Sequence, residues 1–327
     1  MEFRLIDRIR ERTAQGRDDV RLGIGDDAAL LAVPEGQELA VAIDTMVEGV
    51  HFPRDTAPAD LGWKALAVNL SDLAAMGATP AWALLALTLP RSGAAEARQR
   101  FVDAFAEGFA QLAQPHRLAL VGGDTTGGPL TISVAVHGFV PPGKALIRAG
   151  ARVGDAVLVT GTLGDAAAGL HALQHPLNEG DGRAGLRDYL IERLNLPTPR
   201  LSAGAALRGQ ASACIDISDG LLADLNHICV ASDVGAEIDA ALLPRSSALM
   251  ALYDEASAMQ FALSGGDDYE LCFSVPAQRV ADVQADLSRL GCGVTKIGRI
   301  VEGAGVRVRG TDGEWLATDR PGWEHFA

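Results

Sequence analysis

The chain is poor in cysteine and has no long apolar run. Its cysteines are Cys214, Cys229, Cys272 and Cys292. They all lie in the C-terminal half and form no CxxC pair, which excludes a disulfide framework and a zinc ribbon. No window approaches the roughly 18 apolar residues of a membrane span, and charges interrupt the N-terminal segment MEFRLIDRIRER. We therefore expect a soluble cytoplasmic protein with reduced thiols, no signal peptide and no membrane partner.

Basic residues are also scarce. Lysine and arginine total 28 against 42 aspartates and glutamates, which gives a formal net charge of -14. Such a charge repels a polyanionic backbone and removes the electrostatic term on which nucleic-acid binding depends. We expect no nucleic-acid partner.

Several motifs of nucleotide-binding and hydrolytic enzymes are missing from the sequence. There is no GxxxxGK[ST] loop, no kinase HRD or DFG motif and no GxSxG elbow. No Cys/His pairing indicates a covalent nucleophile. Any bound phosphate would therefore be held by metal ions and a few basic residues, without a Walker-type loop.

The length and the periodicity of the chain predict two α/β domains. At 327 residues with 48% hydrophobic content, the chain exceeds the size of one usual core. A PPG turn at 141–143 predicts a boundary, with domains at 1–142 and 143–327. The predicted strands are 39–43, 118–121, 130–136, 156–160, 214–217, 269–275, 294–299 and 305–309, and the predicted helices include 61–76, 164–174, 221–231 and 277–290.

Six segments place aspartates beside apolar or glycine-rich runs. They are GIGDDAAL (23–30), AIDT (42–45), NLSDLAAMGA (69–78), GGDTT (122–126), DISDG (216–220) and SGGDDYEL (264–271). Two carboxylates about 4 Å apart repel by roughly 4 kcal/mol at an effective dielectric constant near 20. Many aspartates without a His/Cys cluster favour Mg²⁺ and a polyphosphate over zinc.

The positions of these aspartates suggest a shared site, although local alternatives stay open. Asp44, Asp124 and Asp216 are predicted at strand ends, where open α/β sheets bind ligands. Asp72 lies on an apolar helix, one turn after Asn69. The alternatives are that DISDG is a helix cap, that Asp26 and Asp27 form a loop, and that GGDDYEL is a hairpin turn.

A few other residues are candidates for ligand contacts. Lys144 and Arg148 follow the PPG turn and could face phosphates, although a solvated linker is an equal alternative. Backbone N–H groups of GTLGD (161–165) could bind phosphate at a helix start. His51 could orient a phosphate, and Trp323 could stack on an aromatic ring or dock the C-terminal tail.

Taken in order, the motifs resemble those of a known enzyme family. GIGDDAAL, DTMVEGVHF, KALAVNLSDLAAMGATP, GGDTT, DISDGL, LSGGDDYEL and GWEHF are similar to the motifs of thiamine-monophosphate kinases, within the aminoimidazole-ribonucleotide synthetase-like superfamily. The resemblance implies a two-domain α/β fold in which mixed sheets pack with helices. It also implies a homodimer whose N-terminal domain binds metal and dimerises, while the C-terminal domain contacts nucleotide and substrate.

The resemblance further implies the reaction and its cofactors. The family transfers the γ-phosphoryl group of ATP directly, in line, to thiamine phosphate, giving thiamine diphosphate with the help of several Mg²⁺ ions. Whether K⁺ is also needed stays open.

The resemblance assigns roles residue by residue. It implies metal ligation by Asp27, Ala42, Ile43, Asp44, Asp72, Asp124, Asp216 and Asp219, with Ala42 and Ile43 using backbone carbonyls, and it makes Asp72 and Asp124 the candidate catalytic residues. It implies nucleotide contacts from Gly123, Asp124, Arg148 and Ser218, and substrate contacts from His51, Asp267 and Trp323.

The chain departs from the family pattern at a few positions. Ala42 and Ile43 replace a usual Ser/Thr pair, Asp267 stands where many relatives carry Glu, and Gly127 stands where a basic residue is common.

Other functions are compatible with parts of the sequence. Selenophosphate synthetases normally need an N-terminal Cys or selenocysteine, and the hydrogenase-maturation relative ends in a cysteine, whereas this chain has no Cys before Cys214 and ends in HFA. Aminoimidazole-ribonucleotide synthetase is the enzyme alternative. A non-catalytic metal- or nucleotide-binding module and a metal-dependent phosphatase are the alternatives from other classes.

Overall fold

The chain forms two compact units. The structure, a computed structural model, describes residues 2–175, 182–316 and 322, with side chains from residue 5 onward. The N-terminal unit comprises Met1–Leu73 and Ala78–Gly143, and the C-terminal unit comprises Ala74–Gly77 and Lys144–Ala327. None of the described helices is long and apolar enough to cross a lipid bilayer.

The N-terminal unit is built around a four-stranded sheet. Its elements are α1 (Glu2–Arg12), β1 (Val20–Leu22), β2 (Leu30–Leu31), β3 (Glu38–Val47), α2 (Pro58–Ala75), β4 (Thr79–Leu89), α3 (Ala95–Ala113), β5 (Ala119–Gly127) and β6 (Thr131–Val140). The strand order is β3-β6-β4-β5, and β1 and β2 form a separate pair. Because β4 and β5 are parallel whereas β6 is antiparallel to both β3 and β4, the sheet is mixed.

One face of this sheet is buried. Val134 and Val136 of β6 are almost fully buried, as is Leu87 of β4. Phe105 and Phe109 of α3, predicted to share one helix face, are completely buried. The period-2 alternation of β6 therefore separates a core face from the opposite face of the sheet.

The opposite face is covered at one end only. There Trp82 and Phe139 meet edge to face at 5.0 Å between ring centroids, and Val20 and Leu31 of the small β1–β2 sheet pack over them. Beyond this cover lies what we call the open face, which exposes Leu39, Val41, Ile43 and Leu84. Ile43 is 66% exposed, so this face presents an apolar surface to solvent.

The C-terminal unit contains a six-stranded mixed sheet. Its elements are β7 (Ala156–Thr160), α4 (Asp165–Gln174), α5 (Ala184–Asn195), α6 (Leu201–Leu207), β8 (Ala213–Asp216), α7 (Leu221–Ser232), β9 (Gly235–Asp239), α8 (Ser247–Leu252), α9 (Glu255–Ser264), β10 (Leu271–Val275), α10 (Val280–Arg289), β11 (Val294–Val301) and β12 (Gly305–Arg309), with 3₁₀ turns at Ala240–Leu242 and Ala277–Arg279. The strand order is β12-β9-β11-β7-β10-β8. Every residue of β7 and β10 is buried, so helices and loops cover both faces at the centre of the sheet.

The structure confirms several predicted elements. The strand at 156–160 has the predicted bounds, the helix predicted at 221–231 is α7, and Asp216 is the last residue of β8. The α/β class with mixed sheets and helices is confirmed as well.

Two predicted strand ends are wrong. Asp44 lies inside β3, which continues to Val47, and Asp124 lies inside β5, which continues to Gly127. The strand was predicted to span 118–121, yet pairing with β4 persists through GGDTT, with Asp124 opposite Ala86. A Cβ at Gly123 would lie 1.8 Å from the Leu85 carbonyl oxygen, and its φ is +150°. The glycine thus permits a close strand contact and does not end the strand.

Strand β4 was not predicted. Its sequence, TPAWALLALTL, is rich in alanine and leucine, which favour helices, and it lacks the β-branched residues typical of strands. Burial between neighbouring strands outweighs this local preference, because both β5 and β6 pair with β4.

We predict that His137 makes stability depend on pH. Among the described residues, Nδ1 of His137 is buried without a hydrogen-bond partner, and burial lowers the pKa of this imidazole. The unfolded chain binds a proton at this residue near pH 6.5, whereas the folded chain does not, so the free energy of unfolding decreases as pH falls below about 6.5. The variant His137→Phe should lose less stability between pH 7.5 and 5.5 in urea titrations than the wild type.

Burial also lowers the pKa of His116, so the His137→Phe variant should keep part of the decrease in the free energy of unfolding. The control His227→Gln changes an exposed histidine and should keep the wild-type pH dependence. An unchanged dependence in His137→Phe would contradict the prediction.

Candidate active site

In the N-terminal unit, Asn69 links α2 to β3. The backbone N–H of Asp44 donates to Oδ1 of Asn69 at 3.0 Å, and Nδ2 of Asn69 donates to the Ala65 carbonyl at 2.9 Å. Asn69 is almost completely buried, so this bridge is held firmly. Asp72 follows Asn69 by one turn on the same side of α2. The Asn69 bridge therefore ties β3 at Asp44 to the turn of α2 that precedes Asp72.

The strand register places Asp44 and Asp124 apart. Asp44 shares a row with Val134 and Leu85 on the buried face, whereas Asp124 shares a row with Ala86 and Ser133 on the open face. β3 and β5 are the two edges of the sheet and are separated by three strand spacings, about 14 Å. One metal ion cannot bind both side chains within this sheet.

Other predicted residues of this unit lie near β3 or in a loop. Ala42 and Ile43 precede Asp44 in β3 and offer no side-chain oxygen, so only their backbone carbonyls could bind a cation. Asp27 is exposed between β1 and β2, where its N–H donates to Oδ1 of Asp26 at 2.9 Å. This local bond agrees with the loop interpretation of that segment.

His51 follows β3 and is oriented by the backbone. The N–H of Val47 donates to Nδ1 of His51 at 3.0 Å. A neutral imidazole that accepts at Nδ1 carries its proton on Nε2, so Nε2–H is the donor that His51 can present to an oxygen.

In the C-terminal unit, two predicted motifs pair beyond the regular sheet. The Ile217 N–H donates to the Glu270 carbonyl, the Tyr269 N–H to the Ile217 carbonyl and the Asp267 N–H to the Ser218 carbonyl, each at 2.8 Å. These bonds extend the pairing of β8 with β10, in which Asp216 lies opposite Leu271. The structure thus brings Asp216, Ser218 and Asp267 together.

Arg148 lies along the outer side of the same strand. The Cys214 N–H donates to the carbonyl of Ile147 at 2.9 Å, two residues before Asp216, and the Arg148 side chain is exposed. An exposed guanidinium at this position is compatible with a phosphate contact and with a solvated linker alike.

Asp224 organises the loop that carries Ser218 and Asp219, and it was not predicted. One of its carboxylate oxygens accepts the backbone N–H groups of Ser218, Asp219 and Gly220 at 3.0, 3.1 and 3.1 Å. Burial, together with the charges of Asp216 and Asp219, raises the pKa of Asp224 to about 7. The sequence feature that could have identified Asp224 is its position in the first turn of α7, where acids bind the free N–H groups of a helix.

Three of the five N–H groups of the GTLGD loop bind acceptors of the protein. The Gly164 N–H donates to Oδ2 of Asp268 at 2.7 Å, and the N–H groups of Gly161 and Leu163 bind carbonyls of other segments. These three groups therefore contribute to the fold.

Trp323 lies outside the described residues. Gly123 supplies backbone alone, beside Asp124 on β5.

The oxygen atoms of the candidate metal ligands fit a hard divalent cation. They are carboxylate and carbonyl oxygens, the ligand type that Mg²⁺ prefers. Within the described parts of the chain, no three His, Cys, Asp or Glu side chains form a ready-made metal cage. Mg²⁺ keeps several waters and binds one or two carboxylates plus substrate phosphates, so it does not require such a cage.

We predict that Asp224 is needed as a hydrogen-bond acceptor. In Asp224→Ala three backbone donors lose their partner, so the free energy of unfolding should decrease by about 2–4 kcal/mol. Asp224→Asn keeps an acceptor oxygen and should lose clearly less. Urea titration of the three proteins measures both changes.

A matched control is Asp254→Ala, which removes the exposed cap that accepts from the Ser257 N–H and should cost about 1 kcal/mol. Equal losses in Asp224→Ala and Asp224→Asn would show that the acceptor is not what matters.

Comparisons with known proteins cover both units. Residues 25–140 match the family model described as AIR synthase related protein, N-terminal domain, and residues 152–311 match the corresponding C-terminal domain. The thiamine-monophosphate kinase of Escherichia coli (strain K12) is 49% identical over 326 residues, which cover 100% of this chain and 98% of that protein.

Solved structures give the same result. The crystal structure of thiamine-monophosphate kinase from Stenotrophomonas maltophilia K279a is 50% identical, with a TM-score of 0.85 over 95% of this chain and 96% of that chain. A structure described as AaThiL complexed with AMPPCP and TMP is 36% identical, with a TM-score of 0.77 over 99% of this chain and 97% of that chain.

Proposed function

The chain belongs to the thiamine-monophosphate kinase family, and from this membership we propose that it transfers the γ-phosphoryl group of ATP to thiamine phosphate. The products are thiamine diphosphate and ADP. The observation that carries the proposal is the 49% identity to the Escherichia coli enzyme over the full chain. The relative that was solved with AMPPCP, an ATP analogue, and with TMP supports the same two substrates.

The acidic residues divide between the two units. In the N-terminal unit, Asp44 and Asp72 are the proposed metal pair, together with the carbonyls of Ala42 and Ile43. Asp27, and Asp124 on the opposite face of the sheet, are proposed to bind metal separately. In the C-terminal unit, Asp216 takes this role at the end of β8, and Asp219 takes it on a loop that Asp224 holds in place. Mg²⁺ bound to these oxygens would neutralise phosphate charge and polarise the γ-phosphoryl group. Whether K⁺ takes part stays open.

The remaining candidates contact the two substrates. Ser218, Arg148 and the backbone of Gly123 are proposed to bind the nucleotide phosphates. Arg148 provides a permanent positive charge, and Gly123 allows a close approach because it has no side chain. His51, Asp267 and Trp323 are proposed to bind thiamine phosphate, with Nε2–H of His51 donating to a phosphate oxygen.

The proposed reaction is a direct in-line transfer. A phosphate oxygen of thiamine phosphate forms a bond to the γ-phosphorus of ATP, and the bond from that phosphorus to the β–γ bridging oxygen breaks. ADP leaves with the electron pair of the broken bond. The acceptor phosphate is already ionised near pH 7, so the chain needs no general base. Its residues contribute positioning and charge neutralisation, which dominate phosphoryl transfer.

One assay separates this proposal from its alternatives. Purified protein is incubated with ATP, Mg²⁺ and thiamine phosphate, and the products are separated by chromatography. Thiamine diphosphate and ADP in equal amounts support the kinase. Phosphate release without an acceptor product indicates a phosphatase, conversion of formylglycinamidine ribonucleotide indicates the synthetase, and Mg·ATP binding without ADP indicates a binding module.

We predict that Asp72 is essential for turnover. Asp72→Asn keeps the size of the side chain but removes the charge that a shared metal needs, so kcat should fall by at least about 100-fold. The circular dichroism spectrum and the melting temperature should stay close to those of the wild type. Near-normal turnover of the variant at saturating Mg²⁺ would refute the role.

We also propose that the protein acts as a homodimer through its N-terminal domain, residues 1–142, while residues 143–327 provide most nucleotide and substrate contacts. The open face exposes Leu39, Val41 and Ile43 along an edge strand, which is costly in water. A second copy that covers this face would remove the cost.

We predict that a charge on the open face separates the subunits. Val41→Lys places an ammonium group where the second copy would bury apolar surface, so sedimentation equilibrium should show monomers where the wild type shows dimers. Val230→Lys changes an even more exposed valine on α7 of the C-terminal unit and should stay dimeric. A wild type that is monomeric at micromolar concentration would contradict the dimer proposal.

The expected compartment is the cytoplasm. All four cysteines are free and buried in the structure, which agrees with a reducing environment.

A further inference from the structure

The segment 264–270 contains backbone conformations that side chains rarely adopt. Asp267 has φ +69° and Tyr269 has φ +50°, two of four non-glycine residues with positive φ in the described ranges. Such a conformation is uncommon for aspartate and more so for a bulky tyrosine, because Cβ then crowds the backbone. Conformations of this kind persist only where surrounding contacts enforce them.

Asp268 and Glu270, which alternate with Asp267 and Tyr269 along the chain, are buried and anchor the segment. Glu270 is fully buried and accepts from the Thr160 hydroxyl and from Nε of Arg200, both at 2.6 Å, and from Nη2 of Arg193 at 3.0 Å. Asp268 is nearly fully buried and accepts the Gly164 N–H at the start of α4. Inward anchors thus alternate with outward, partly exposed residues.

The anchored backbone sets Tyr269 against Asp267. The hydroxyl of Tyr269 donates to Oδ1 of Asp267 at 3.0 Å. The N–H groups of both residues also bind carbonyls of segment 217–218, so their backbones are fixed on the same strand. A hydroxyl that donates to a carboxylate restricts the rotation of the carboxylate and fixes the direction in which the carboxylate oxygens face.

We propose that Tyr269 is a positioning residue for thiamine phosphate, acting through Asp267. This inference rests on the proposed function, in which Asp267 contacts the substrate. A carboxylate held in one orientation suits the cationic, nitrogen-rich rings of thiamine better than a freely rotating one, because it loses less conformational entropy when the substrate binds. The bond also steadies an aspartate at a position where many relatives carry the longer glutamate.

The test is a kinetic comparison of Tyr269→Phe with the wild type. Phenylalanine keeps the ring and the backbone conformation, so the variant removes the hydroxyl alone. We expect KM for thiamine phosphate to rise about tenfold, the effect of losing one hydrogen bond to a charged group, while KM for Mg·ATP changes less than twofold. Calorimetry with thiamine phosphate should show a similar loss of affinity.

A double variant distinguishes a role through Asp267 from a general effect on the loop. If Tyr269 acts through Asp267, the variant Tyr269→Phe/Asp267→Asn should bind thiamine phosphate no more weakly than Asp267→Asn alone. The matched control is Tyr253→Phe, which removes a hydroxyl that donates to the Ala168 carbonyl at 3.0 Å, and both KM values should stay unchanged.

Three results would overturn the positioning role. They are an unchanged KM for thiamine phosphate in Tyr269→Phe, an equal rise of both KM values, and additive losses in the double variant. Wild-type protein that makes no thiamine diphosphate would instead refute the proposed function, and this inference with it. Turnover by the wild type with an unaltered KM in Tyr269→Phe refutes the inference alone.

Discussion

Repulsion between carboxylates is the constraint that shapes both units. At about 4 Å two such charges repel by roughly 4 kcal/mol at an effective dielectric constant near 20, which is a large part of the stability of a domain. The protein limits this repulsion in three ways. The N-terminal sheet keeps Asp44 and Asp124 on opposite edges and opposite faces. Backbone N–H groups surround Asp224 and bind Asp268, and two arginines neutralise Glu270. For the candidate ligands Asp44, Asp72, Asp216 and Asp219, we propose that Mg²⁺ offsets the repulsion that is left.

The two units supply different kinds of acid. In the N-terminal unit, Asp44 and Asp72 are half-exposed, and the buried Asn69 ties α2 to β3 beside them. In the C-terminal unit, buried acids that are not candidate metal ligands hold in place the backbone segments that carry the candidate ligands. Removing a buried hydrogen-bond acceptor therefore affects the whole neighbouring loop. Removing an outward acid takes away one possible metal ligand and leaves the backbone in place.

Local patterns predicted part of this arrangement. Helix α7 and the end of β8 at Asp216 followed from short apolar runs, and the shared side of Asn69 and Asp72 followed from helical spacing. The position of Asp124 could not be predicted, because two glycines signal a turn unless a neighbouring strand continues to pair with them. The bond between Tyr269 and Asp267 was equally hidden, since neither residue type indicates positive φ. Strand β4 was missed because alanine and leucine carry little strand preference, and tertiary packing decided its conformation.

The buried cluster around Glu270 also has a consequence for folding. Thr160 and Glu270 are 110 residues apart in sequence, and Arg193 and Arg200 are 77 and 70 residues from Glu270. Contacts of such separation form only after a large loss of chain entropy, so they follow the local helices in time. We expect the backbone around Asp267 to acquire its left-handed conformations only when this cluster has closed. During synthesis, a chain that ends before residue 270 can build its helices but cannot yet shape this segment for a ligand.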